Sequence, residues 1–132
     1  VSPRLMRESI ELARAHGVHN HTHLAECPED NEYMLETYGK TSVHVAADWG
    51  WVGPDVWYAH GVMLQDDEID VMAATGTGVS HCPNSNMYTA AGICPVSELL
   101  RRGVPVGIGV DGSAANNASN MLDEVRSALL LQ

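Results

Sequence analysis

Apolar and polar positions run in two rhythms along this chain, one of helical and one of strand period. Met6, Ile10 and Ala13 recur at helical spacing. Ser2 is placed to cap that helix, Pro3 to open it and Gly17 to end it. Residues 18–23 then read as a strand. Pro28 opens a second helical stretch toward Tyr38 and Gly39, Ser42 to Asp48 predicts another helix, and WGWVGPD predicts a turn. Residues 56–62 form the second predicted strand. QDDEIDVMAATG follows as a helix, with acids in its first turn and Gly76 at its end, an arrangement that suits the helix dipole. Residues 77–83 give the third strand, PVSELLRRG a short helix, and VPVGIGVDG the fourth strand. An amphipathic helix runs from Asn120.

Strand and helix in alternation, joined by short links, imply parallel strands with crossover helices. The expected fold class is therefore α/β. Parallel βα units of this number make about half of a (β/α)8 TIM-type barrel, which needs roughly 250 residues. They could equally be half of an open doubly wound sheet. The chain of 132 residues is expected to be one domain, residues 1–132, with no second domain. Its first residue is Val rather than Met, so it is expected to be a fragment of a longer enzyme.

Strand alternation sorts the reactive side chains by face. In the fourth strand Val104, Val106, Ile108 and Val110 share one face, suited to packing against helices. Pro105, Gly107, Gly109 and Asp111 share the other, suited to a crowded interior with the carboxylate at the top. His23, His60, His81 and Asp111 each stand at or near the C-terminal end of a different predicted strand, where parallel α/β folds place their chemistry. Glu26 lies three residues past His23, within reach of the same rim. His19 and His21 lie deeper on the first strand and are expected to be buried.

Composition narrows the choice. Apolar residues make up 45% and charged residues 18% of the chain, as in a globular domain, and no apolar run approaches a membrane span. The formal net charge of −10 argues against nucleic acid as the main partner, since phosphate binding needs clustered Lys and Arg. Cys27, Cys82 and Cys94 lack CxxC spacing and are expected to be reduced thiols of a cytoplasmic protein. Gly107, Gly109 and Gly112 spell G-x-G-x-x-G. Two of them fall inside the strand and Asp111 would sit beside a pyrophosphate, so a dinucleotide fingerprint is a poor fit.

HTHLAE, YAHG, SHCPNSNM and GIGVDGSAANN, in this order and spacing, resemble the amidohydrolase superfamily. The resemblance is to the branch containing 8-oxoguanine deaminase, guanine deaminase and the triazine hydrolases. It covers nearly the whole chain and implies strands five to eight of a (β/α)8 barrel, the C-terminal half. It implies one divalent metal, zinc before iron, with His23 and Asp111 as ligands and His60 as a further candidate. It implies Glu26, His60 and Asp111 as catalytic residues: Asp111 takes a proton from the attacking water and Glu26 returns one to the ring. It places His81, Asn84, Ser85 and Asn86 in a loop lining the substrate pocket.

The activity so implied is hydrolytic deamination of an amino-substituted purine, pyrimidine or triazine ring, with ammonia released. Removal of chloride or an alkylamine from a triazine is the alternative within the family. A non-catalytic α/β binding module is the alternative outside it. A small heterocycle is the expected partner, with neither nucleic acid nor membrane, and a homo-oligomer is expected at full length. Alone, the half barrel is expected to bind metal poorly and to associate through its open sheet edges. The family's HxH metal pair lies on an early strand that this chain does not contain. The stretch MYTAAG replaces the basic residue, Leu and Gly usual after SNM, which leaves the ring substrate open.

Overall fold

Each predicted strand forms, and each is shorter than the run that predicts it. The computed structural model describes residues 2–132. Its elements are α1 (Pro3–Ala15), β1 (Asn20–Leu24), α2 (Pro28–Tyr38), α3 (Ser42–Asp48), β2 (Val56–His60), α4 (Asp66–Thr75), β3 (Gly78–His81), α5 (Pro83–Tyr88), α6 (Val96–Arg101), β4 (Val106–Ile108) and α7 (Met121–Leu130). Local chemistry sets the helix ends. Ser2 Oγ accepts the Leu5 N–H at 3.3 Å. Gly39 and Gly76 close α2 and α4 in the left-handed region, with φ of 71° and 74°, where a Cβ would be strained.

The strands form one parallel sheet in the order β1-β2-β3-β4. This is an α/β architecture of the kind found in part of a TIM-type barrel. Register decides which side chains share a face: His23 lies beside Ala59, Ala59 beside Ser80, and Ser80 beside Gly107. On the opposite face Leu24, Tyr58 and Val79 are buried with Ile10, Val43, Ile69, Met72 and Leu99 of the helices. Burial of each such large side chain contributes about 1.5–3 kcal/mol. The expected division of β4 holds: Val106 and Ile108 are half-buried on the helix side, and Gly107 is exposed on the other.

Two expectations need correction. His19 and His21 are exposed, not buried, because four strands leave the face they occupy without a cover. They lie against Trp57 instead: the His21 ring stacks on it at 5.3 Å, and the His19 ring is tilted to it at 6.0 Å. Residues 84–86 are not in a loop but in α5, where Pro83 fits the first helical turn. So short a polar helix carries no apolar stripe to announce it. The amphipathic helix from Asn120 forms as α7, with its leucines turned outward. Leu122 and Leu129 are each 78% exposed, whereas Glu124 is fully buried.

Glu68 shows how the helix layer is fixed. Its buried carboxylate accepts the Val43 N–H at 2.7 Å, at the start of α3, and the Gln65 N–H at 2.9 Å, ahead of α4. One side chain therefore satisfies orphan donors of two helices. Among the described residues no helix is long and apolar enough to cross a membrane. Replacing Glu68 by Ala leaves those two N–H groups buried without acceptors. It is expected to lower unfolding free energy by about 2–4 kcal/mol, measured by urea denaturation of the protein. A loss below the range of surface substitutions would contradict this role.

Candidate metal centre

The sheet's C-terminal rim is made by backbone that departs from strand geometry. Ala25, His60 and Asp111 all have positive φ, at 52°, 74° and 59°. Such values are uncommon for residues with a Cβ and are held only where the surroundings over-determine them. At His60 the departure changes the face. His60 pairs with Leu24, so simple alternation would send its ring toward the helix layer. Instead the ring comes to the open side, 5.1 Å from the His23 ring. Asp111 also lies beyond the end of β4, so its direction comes from its own backbone and from its partners rather than from the pleat.

Four of the predicted residues meet here. His23 Nε2 is 3.5 Å from Asp111 Oδ1. His60 Nε2 is 3.8 Å from Asp111 Oδ2 and 3.7 Å from Glu26 Oε2. One donor atom each from His23, His60 and Asp111 lies within 4.8 Å of the others. His60 Nε2 is wholly buried and has no hydrogen-bond partner in the protein. An orphaned imidazole nitrogen facing another imidazole and a carboxylate fits a divalent cation. Zinc takes such N and O donors at about 2.0–2.2 Å, which sets tetrahedral neighbours near 3.4 Å apart.

The residues expected to touch substrate divide in the structure. Ser85 and Asn86, both buried on α5, hold the centre from behind. Ser85 Oγ donates to Asp111 Oδ2 at 2.6 Å, and Asn86 Oδ1 lies 2.8 Å from His60 Nδ1. That contact leaves His60 Nε2 free to act as a ligand, the usual way a neighbour selects a histidine tautomer. Asn84 points elsewhere: its Oδ1 accepts from Ser127 Oγ at 2.6 Å, on α7. His81 is 1% exposed, with no protein partner for either ring nitrogen, and burial together with the nearby His60 holds its pKa below the ordinary histidine value.

Electrostatics favours an ionised Asp111. Burial opposes its charge, but the Ser85 hydroxyl, the Gly112 N–H and His23 outweigh that and hold its pKa below the usual aspartate value. The cysteines stay out of the centre. Burial pushes Cys82 up to about 11 and Cys94 up to about 12, and both remain free thiols. Sequence reasoning missed Asn116 and Glu124, which are buried just behind the rim. The available signal was a glutamate lying between the apolar residues of the last helix.

Residues 1–132, the whole chain, match the amidohydrolase family. The chain belongs to that family. It is 48% identical to the 8-oxoguanine deaminase of Pseudomonas aeruginosa, over all of this chain and 29% of that protein. This amidohydrolase chain therefore spans under a third of the length of such a relative. Its structure superposes with a TM-score of 0.95 on an adenosine deaminase from Xanthomonas campestris with bound zinc, at 31% identity, covering 99% of this chain and 30% of the other. With the zinc-complexed atrazine chlorohydrolase of Arthrobacter aurescens the score is 0.93, at 32% identity, covering 98% and 28%.

Replacement of Ser85 by Ala removes a donor that keeps Asp111 ionised. The Asp111 pKa then rises, so protons compete with metal to a higher pH. In the natural protein, metal affinity is expected to fall by about 10–100-fold. The pH midpoint of metal binding is expected to move upward, read by cobalt titration at several pH values. An unmoved midpoint would contradict the role given to Ser85.

Proposed function

We propose that this chain forms strands five to eight of the (β/α)8 barrel of a metal-dependent aminohydrolase. The substrate is an amino-substituted purine, pyrimidine or triazine ring, and the product of its amino group is ammonia. The observation that carries this reading is the meeting of His23, His60 and Asp111, with Glu26 beside His60. His23, His60 and Asp111 would hold the cation, zinc before iron. A cation bound there supplies the Lewis acidity that brings water toward hydroxide at neutral pH.

The chain's own residues divide the proton work. Asp111, kept ionised, accepts the proton of the attacking water. Glu26, across His60 from it, delivers a proton to the ring nitrogen next to the carbon under attack, so that no full negative charge builds on the ring; the proton held by Asp111 then passes to the amino group, the C–N bond breaks to release ammonia, and the proton of the new hydroxyl returns to Glu26. A cavity of about 480 Å³ lined by Glu26, Cys27, Glu29, Thr89 and Ala90 adjoins that carboxylate. Its size is in the range of small-molecule sites, about 300–1,000 Å³. The natural protein is further proposed to be a cytoplasmic homo-oligomer, a setting that keeps the three cysteines reduced.

In that protein Glu26→Gln is expected to lower kcat by about 10²–10⁴-fold with the circular dichroism unchanged. Ammonia release is measured against a panel of 8-oxoguanine, guanine, isoxanthopterin and aminotriazines. Undiminished turnover in the variant would sink the assignment. A second reading is hydrolysis of a chlorotriazine, supported by the likeness to the atrazine chlorohydrolase. Chloride released without ammonia decides for it.

A further inference from the structure

Two supports hold the rim, and both lead back to one residue. The first is α5, which brings Ser85 to Asp111 and Asn86 to His60. The second is the peptide ahead of Asp111, whose Val110 carbonyl accepts from Asn116 Nδ2 at 2.7 Å. Glu124, fully buried on α7, touches each. Its Oε2 accepts the backbone N–H of Asn84 at 3.1 Å, in the residue before Ser85. Its Oε1 accepts from the same Asn116 amide that holds Val110. Asn116 Oδ1 is engaged too, accepting the Ala118 and Ser119 N–H groups at 3.2 and 3.1 Å. Ser127, one turn on from Glu124, adds its hydroxyl to Asn84 Oδ1 at 2.6 Å.

We propose that Glu124 is a positioning residue for the metal centre, fixing through Asn84 and Asn116 the placement of Asp111 and His60. The inference rests on the reading of that centre as a metal site. Its physical basis is the strained backbone at Asp111 and His60, which persists only under external constraint. A carboxylate suits the position because both groups facing it are N–H donors, and a glutamate has two acceptor oxygens for them. A glutamine offers one oxygen and one NH₂, so one of the two contacts becomes donor against donor. The leucines of α7 have no such role, since they face away and are exposed.

The test uses the natural protein loaded with cobalt(II), whose visible absorption reports ligand geometry. In Glu124→Gln the d–d bands are expected to change in position or intensity and cobalt affinity to fall about 10–100-fold. kcat is expected to fall by a similar factor while KM stays within about threefold, because Glu124 does not line the cavity beside Glu26. Glu124→Asp, which keeps both acceptor oxygens but draws them back by one methylene from Asn84 and Asn116, is expected to move the same readouts in the same direction, and it decides the matter if Glu124→Gln does not fold. A wild-type cobalt spectrum and affinity in a folded Glu124→Gln would overturn the inference, even with a lower melting temperature, since Glu124 would then serve stability alone. If Glu124→Gln does not fold, the same result in a folded Glu124→Asp overturns it. Wild-type protein that takes up no cobalt at all overturns the metal reading itself, and the inference with it.

Discussion

The centre depends on a backbone that leaves strand geometry at the place where chemistry is needed. A parallel strand delivers alternate side chains to opposite faces, and the pleat alone would bury His60 among the helices beside Leu24. A left-handed turn at that one residue brings its ring to the open side, against His23. Such a conformation costs of order 1–3 kcal/mol and does not persist unaided. Here the restraint is a second layer of polar contacts: Asn86 on the far nitrogen of His60, Ser85 on Asp111, and Asn116 on the preceding carbonyl.

That second layer is polar and buried, which makes it both rigid and demanding. Each buried donor or acceptor needs a partner, and a half-satisfied network is worse than an apolar core. Glu124 and Asn116 meet the demand by serving several partners each. The same economy appears at Glu68, which caps two helices at once, far from the rim. The two glutamates do comparable local work with different consequences: one holds the helix layer together, and the other holds the helix that touches His60 and Asp111.

The face opposite the helices has another character. Gly107 and Gly109 keep it shallow, and a Cβ at Gly109 would come within 2.7 Å of Ser80 Oγ. His19, His21 and Trp57 stand on it in a row, the two histidines exposed and Trp57 half-buried beneath them. One donor atom each from His23, His60 and Asp111 gathers at its rim. The chain spans under a third of the length of its deaminase relative.

Periodicity and punctuation made the sheet and most helices legible, because Ser2, Pro28, Gly39 and Gly76 act through local backbone chemistry that needs no tertiary context. The convergence of His23, His60, Glu26 and Asp111 was legible from strand ends and from the family resemblance. The roles of Ser85, Asn86, Asn116 and Glu124 were not. Nor was the outward turn of the leucines on α7, since an amphipathic pattern gives a helix two faces without saying which one meets a partner. What the sequence by itself determined is which groups stand at the C-terminal ends of parallel strands. What only the tertiary structure decided is where they point and what holds them, because that depends on φ at single residues and on hydrogen bonds between positions tens of residues apart.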